Sequence, residues 1–123
     1  MSIRRHLSYG VMVWERLFEI SGRLASDPFG AYAMLKSFIP LLPTRIQEKV
    51  KTILQRLAEE SVQIKTYLYE ETKDVTAAEL EYVDVMRQVL RTYVEEALTV
   101  ISEELEKIGL MYQQEQLYGQ DTD

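Results

Sequence analysis

The stretch TAAELEYVDVMRQVLRTYVEEALTVISEELEKIGLMYQQEQLY, residues 76–118, decides the fold because it predicts one helix across more than a third of the chain. Thr76 and Glu79 have the spacing of a capping box, in which each side chain bonds to the backbone N–H of the other residue. Proline is absent from the stretch, and Gly109 is its first glycine. We therefore predict a continuous helix from Thr76 to Tyr118.

The apolar residues of this helix recur at intervals of three and four, which places them on one face. They are Leu90, Val94, Ala97, Ile101, Leu105, Ile108 and Tyr112. A second apolar row lies beside the first and consists of Tyr82, Met86, Val89, Tyr93 and Val100. An apolar arc this wide indicates a helix with neighbours on more than one side.

Three further helices are predicted upstream, at residues 2–25, 28–39 and 44–73. Asp27 and Pro28 favour a helix start, because aspartate is a good N-cap and proline suits the first helical position. Thr44 and Gln47 have the spacing of a second capping box.

The fold class that follows is an all-α, single-domain, up-down helical bundle with three long helices and one short one. We expect the domain to cover residues 1–118 and to be followed by a disordered tail at residues 119–123. The link at residues 74–75 is so short that the third and fourth helices should be antiparallel neighbours.

Counting outward from residue 75 predicts the register of this helical hairpin. The expected facing pairs are Leu57 with Tyr93, Ile53 with Ala97, Val50 with Ile101 and Ile46 with Leu105. The same register places three bases of the third helix beside acids of the fourth. Arg45 should lie near Glu104 and Glu106, Lys49 near Glu103, and Arg56 near Glu95 and Glu96. We interpret these neighbours as intramolecular ion pairs.

The composition is that of a globular protein, since 46% of the 123 residues are hydrophobic. The absence of cysteine excludes disulfides and thiolate metal sites. No apolar run approaches about 18 residues, so we expect no membrane span and a cytoplasmic location. Asparagine is also absent and glutamate is abundant, a thermophile-like composition.

The charge is divided unevenly along the chain. Residues 1–57 hold nine bases and four acids, a net charge of +5, whereas residues 58–123 hold five bases and sixteen acids, a net charge of −11. Two such halves either neutralise each other within the fold or serve two different partners.

The sequence contains no arrangement of residues that is typical of a catalytic site. We therefore expect no enzyme activity, cofactor, metal ion or small-molecule substrate. The chain has one histidine, His6, and it does not follow a glutamate by three residues, so we expect no di-metal bundle site with two Glu-x-x-His motifs. Four pairs of adjacent glutamates are present, at residues 59–60, 70–71, 95–96 and 103–104. Neighbouring side chains on a helix diverge by about 100°, so we interpret these pairs as solvated.

A row of arginines on the first helix offers one alternative function. Arg5, Arg16 and Arg23 align on the side opposite Trp14, and Arg4 flanks the start of the row. The row is either a solubilising face or a contact for nucleic-acid phosphates or an acidic partner. The position of the fourth helix distinguishes these interpretations, because its acids would neutralise the row if they lay beside it.

The end of the fourth helix predicts self-association. Beyond the reach of the third helix it still carries apolar residues: Ile108, Leu110, Met111, Tyr112 and Leu117. Either the second helix with the corner at residues 41–42 covers them, or a second copy does so in a two-fold homodimer. The function we expect is that of a non-enzymatic accessory or structural protein acting through helix-mediated association, with itself and with a larger protein assembly.

Overall fold

The structure is a computed structural model that describes the backbone of residues 2–109 and the side chains of residues 9–109. Over residues 2–109 it contains four α-helices and no strand. The helices are α1 (Ser2–Leu24), α2 (Pro28–Phe38), α3 (Thr44–Glu71) and α4 (Val75–Lys107), with a 3₁₀ turn at Ile39–Leu41. The predicted all-α bundle is confirmed. Each of these helices falls short of the length or apolar character that crossing a bilayer needs.

Helix α4 is the central element, since it contacts α1, α2 and α3. The main core draws on all four helices, and its least exposed members are Val13, Ile20, Ala31, Leu35, Phe38, Ile46, Val50, Val94, Ala97, Ile101 and Leu105. Trp14 packs at the edge of this core with 8% of its surface exposed. The wide apolar arc of α4 therefore serves several neighbours, as its sequence predicts.

The antiparallel register of α3 and α4 is also confirmed. The α3 residues Ile46, Val50 and Ile53 share one core cluster with Ala97, Ile101 and Leu105 of α4. One step further along the hairpin, a second cluster consists of Leu57, Met86 and Leu90, with Tyr32 and Tyr93 packed against it.

Beyond the second cluster, α3 and α4 continue as a two-helix extension, which we call the arm and define as residues 58–71 and 75–85. Its buried residues are Leu68 and Ala78. Val62, Tyr67, Val75 and Leu80 are each between 59% and 67% exposed. The arm is thus held by a narrow seam between two helices.

The start of α4 differs from the predicted capping box. Asp74 is the N-cap, and its Oδ1 atom accepts hydrogen bonds from Thr76 N at 3.0 Å and Ala77 N at 3.4 Å. The helix begins at Val75, one residue before the predicted start. The Thr76–Glu79 capping box is therefore wrong, because the carboxylate of Asp74 already binds the free backbone N–H groups.

The second capping box is wrong as well. The N-cap of α3 is Pro43, and no side chain caps the helix. The side-chain amide of Gln47 instead donates to the carbonyl oxygen of Leu42 at 2.7 Å. The predicted start of α2 is confirmed, since Asp27 accepts a hydrogen bond from Gly30 N at 2.9 Å.

The end of α4 corrects the prediction of one continuous helix. The helix ends at Lys107, and Gly109 has a φ of +82°, in the left-handed region that ends helices and suits glycine. Gly109 thus follows the end of the regular helix, although the apolar pattern of the sequence continues beyond this residue. The remainder of the predicted helix, residues 110–118, and the predicted tail at 119–123 lie outside the described residues.

Candidate interaction surface

An open groove of about 640 Å³ lies between α1 and α4, and α3 contributes no residue to its lining. We call it the α1–α4 groove. Its apolar lining consists of Trp14, Leu17, Phe18, Leu24 and Leu98. The rings of Trp14 and Phe18 form one wall with centroids 6.0 Å apart, and Phe18 is 56% exposed. An apolar concavity of this size is typical of binding surfaces.

Small side chains line the rest of the groove: Ser21 on α1, Ala25 just after α1, and Thr99 and Ser102 on α4. The hydroxyl of Thr99 donates to the carbonyl oxygen of Glu95 at 3.0 Å, and that of Ser102 donates to the carbonyl oxygen of Thr99 at 3.0 Å. Because both α4 hydroxyls are bonded within their own helix, this part of the groove lets another backbone approach closely.

One arginine joins the two walls. Arg91 Nη2 donates to the carbonyl oxygen of Ala25 at 3.1 Å, and Nη1 donates to Gln88 Oε1 at 3.1 Å. The bond to Ala25 attaches α4 to the residue just after α1. Because Trp14 and Ser102 line the groove further along, the two helices run antiparallel. Within residues 9–109, the Nε atom of Arg91 is buried without a hydrogen-bond partner. A buried donor without an acceptor destabilises the fold.

Glu95 lies one turn further along the same wall of α4 and is exposed. Its carboxylate has neither an ion pair nor a hydrogen bond with the described side chains. The sequence-predicted pairing of Arg56 therefore involves Glu96 alone. The groove thus presents one incompletely bonded arginine and one unpaired carboxylate four residues apart.

A second polar site lies at the end of the bundle, around Glu104. This carboxylate is 6% exposed and lies 2.8 Å from Lys107 Nζ, 3.1 Å from Lys49 Nζ and 3.6 Å from Arg45 Nε. The hydrogen bonds from Lys107 and Lys49 lower the pKa of Glu104 below its usual value. Glu104 is therefore an anionic junction between α3 and α4.

The burial of Glu104 corrects the interpretation of residues 103–104 as a solvated pair. Glu103 is exposed, as predicted, but Glu104 follows Ile101 by three residues and so lies on the inward face of α4. The predicted pairing of Arg45 with Glu104 is confirmed. The predicted pairing of Lys49 is wrong by one residue, because its ammonium group reaches Glu104 instead of Glu103.

The third predicted base is also paired within the chain. Arg56 Nη2 lies 2.6 Å from both carboxylate oxygens of Glu96, and the guanidinium group is 5.5 Å from the centre of the Tyr93 ring. Tyr93 donates a short hydrogen bond to Glu60, and this bond is the main reason why the pKa of Tyr93 is raised. The three bases Arg45, Lys49 and Arg56 of α3 are thus paired within the hairpin.

The described part of the arginine row, Arg16 and Arg23, lies on the side of α1 opposite Trp14 and Ser21, which line the groove. Among the described side chains, Arg23 pairs with Asp27 at 3.4 Å, and neither Arg16 nor Arg23 pairs with an acid of α4. The side chains of Arg4 and Arg5 lie outside the described residues. Helix α4 therefore leaves the described part of the row unneutralised, although Asp27 offsets Arg23.

Of the residues predicted for self-association, Ile108 follows the end of α4 and is 50% exposed. The others, Leu110, Met111, Tyr112 and Leu117, lie outside the described residues. Sequence reasoning missed the α1–α4 groove. The signal in the sequence is Leu98, which belongs to neither apolar row of α4 and shares a face with Arg91, Glu95 and Ser102 at intervals of three and four residues.

Within residues 9–109, His, Asp and Glu side chains form no group of three or more that could hold a metal ion. Comparison of the chain with protein-family models, curated proteins and solved structures gives no match. The groove and its charges are thus the observations on which a function can be argued.

Proposed function

We propose that the protein is a small, non-enzymatic helical protein that works in the cytoplasm through helix-mediated association, with itself and with a larger protein assembly. The observation that supports this proposal is the α1–α4 groove, with its aromatic wall and its lining of small side chains. An apolar groove between two helices is a common docking site for a further helix.

The chemistry of the groove supports association over catalysis. The hydroxyls of Thr99 and Ser102 donate to backbone carbonyl oxygens of α4. A nucleophilic hydroxyl needs instead a side-chain base that accepts its proton. The charged groups of the lining are Arg91 and Glu95, and Arg91 is engaged in holding the two helices together. These features suit a surface that binds another helix.

A substitution that fills the groove tests the proposal. The change Thr99→Arg places a long cationic side chain in the groove. At about 100 μM protein, where a dimer of micromolar affinity is formed, we expect the wild type to be dimeric and the variant to be monomeric. Sedimentation velocity measures the mass. The matched control is Thr52→Arg on the exposed side of α3, because Thr52 makes the same bond to the carbonyl four residues earlier, at 3.1 Å from Glu48 O.

The wild-type chain and both variants should have the same helical circular dichroism, since neither threonine is buried. A wild-type protein that remains monomeric at this concentration would contradict self-association. Equal weakening by Thr52→Arg would show that the effect is unrelated to the groove.

The second candidate function is nucleic-acid binding through the basic face of α1. The observation in its favour is that α4 acids do not pair with Arg16 or Arg23. If Arg5, Arg16 and Arg23 contact phosphates, affinity for duplex DNA should fall with salt at a log–log slope of about −2 to −3. Absence of binding to duplex or single-stranded DNA or RNA at about 50 mM salt would exclude this function.

A further inference from the structure

We propose that the α1–α4 groove binds the same surface of a second copy around a two-fold axis, with Arg91 of each copy against Glu95 of the other. The inference rests on the proposed self-association and adds its surface, its direction and its central contact.

The order of the charges determines the direction. Arg91 and Glu95 lie one turn apart on the same wall of α4. When two copies of α4 run antiparallel about an axis level with residue 93, residue 91 of one copy lies level with residue 95 of the other. A two-fold axis repeats every contact, so both arginines meet carboxylates. In a parallel pair, like charges would face each other.

The contact also gives Glu95 a partner. Its carboxylate has none among the described side chains. Arg91 is partly exposed, and within its own chain it bonds to Ala25 and Gln88 rather than to Glu95. Its Nε atom is enclosed by the chain, so the carboxylate of the second copy meets the exposed part of the arginine. A second copy therefore supplies each Glu95 with a cation.

The surroundings of the charge pair allow close approach. At this level of the bundle the opposite wall consists of Ser21 on α1 and Ala25 just after it, whose side chains are small. Leu98 lies next to Glu95 and supplies apolar area beside the charges. Charged pairs that are surrounded by apolar contacts fix the relative orientation of two proteins in a complex. Arg91 and Glu95 have this role in the proposed homodimer.

Charge exchange tests the pairing. Glu95→Arg and Arg91→Glu should each place like charges in contact and weaken the homodimer by roughly tenfold or more. An equimolar mixture of the two variants restores two attractive pairs, so it should form a heterodimer with close to wild-type affinity. Glu103→Arg is the matched control, because Glu103 is an exposed glutamate of α4 outside the groove lining. Sedimentation equilibrium measures all affinities.

A cysteine pair gives a second measurement that does not depend on charge, in case Arg91→Glu fails to fold. The chain contains no cysteine. A mixture of Arg91→Cys and Glu95→Cys should therefore form a disulfide-linked heterodimer under mild oxidation, whereas either variant alone should crosslink at least about tenfold more slowly, because identical positions are offset along the pair.

The outcomes separate this inference from the proposed function. A wild-type protein that is monomeric would contradict both the proposed self-association and the groove pairing. A wild-type dimer whose affinity is unchanged by Glu95→Arg keeps self-association and overturns the groove pairing. The antiparallel Arg91–Glu95 contact is also overturned if the mixture of the two charge variants does not recover the dimer affinity that each variant has lost. Failure of the two cysteine variants to crosslink overturns it as well.

Discussion

The two ends of the α3–α4 hairpin consist of the same two helices but differ sharply in burial. At the bundle end, Ile46, Val50, Ile101 and Leu105 are at most 2% exposed, because α1 and α2 contribute to the same core cluster. In the arm, Leu68 and Ala78 are the buried residues. The difference shows that a pair of helices buries one narrow seam, and that the deep core depends on the helices added to it.

The polar contacts, like the apolar ones, are more buried at the bundle end than in the arm. At the bundle end, the buried carboxylate of Glu104 is contacted by three cationic side chains. In the arm, the hydroxyl of Tyr69 donates to Glu79 at 3.2 Å, and Lys65 lies 5.9 Å from the ring centres of Tyr69 and Tyr82. Exposed contacts of this kind contribute little stability. We therefore expect the arm to open locally before the bundle does.

The largest expected effect lies in the bundle. Trp14 is 8% exposed and packs against the core, so Trp14→Ala should reduce the free energy of unfolding by about 3–5 kcal/mol. Urea unfolding followed by circular dichroism measures the change. A reduction well below about 1 kcal/mol would mean that α1 contributes little to the bundle, and the comparison between the two ends would fail.

A smaller effect is expected in the arm. Leu68 is 6% exposed but has one neighbouring helix to pack on, so Leu68→Ala should cost about 2 kcal/mol, the low end for a buried leucine. Native-state hydrogen exchange should show faster exchange in the arm with little change in the bundle. Acceleration in both ends equally would indicate that the arm and the bundle unfold as one unit.

The smallest of the three effects concerns the junction at Glu104. Its lowered pKa means that the ionised carboxylate stabilises the fold at a pH above the unfolded-state pKa, about 4.5. This contribution is lost as the pH falls through the lower folded-state pKa. Glu104→Gln should therefore lower the melting temperature at pH 7 and differ less from wild type below about pH 4.

The control for this prediction is Glu103→Gln, at the exposed neighbouring position. It should leave the melting temperature close to that of the wild type at both pH values. A difference between Glu104→Gln and wild type that stays constant from neutral to acidic pH would show that the carboxylate charge is not what stabilises the junction.

The helices and their register could be predicted because they depend on the spacing of apolar residues and on one short link. Residues 74–75 and the α3 pattern were enough to place Ile46 and Leu105 in the same core cluster. The helix ends were less predictable, because several polar side chains can bind the same free N–H groups. Asp74 and Thr76 are both good N-caps, and the sequence does not show which one the backbone selects.

The groove and the burial of Glu104 were missed for other reasons. The groove depends on where α1 lies around α4, which periodicity within one helix does not specify. The burial of Glu104 follows from its spacing three residues after Ile101, which the assignment of all four glutamate pairs to solvent overlooked. Glu103 and Glu104 are chemically identical, and only the packing of Ile101 and Leu105 distinguishes the inward residue from the outward one. In the same way, Arg91 and Glu95 resemble solvated residues until α1 is placed beside them.

The central position of α4 has a consequence for the order in which the chain folds. The main cluster takes Val94, Ala97, Leu98, Ile101 and Leu105 from α4, so the apolar faces of α1, α2 and α3 cannot be fully covered before this helix has been synthesised. The contact of Arg91 with Ala25 joins residues 66 positions apart. A chain made from its N-terminus therefore holds three helices without their shared partner until the fourth one leaves the ribosome.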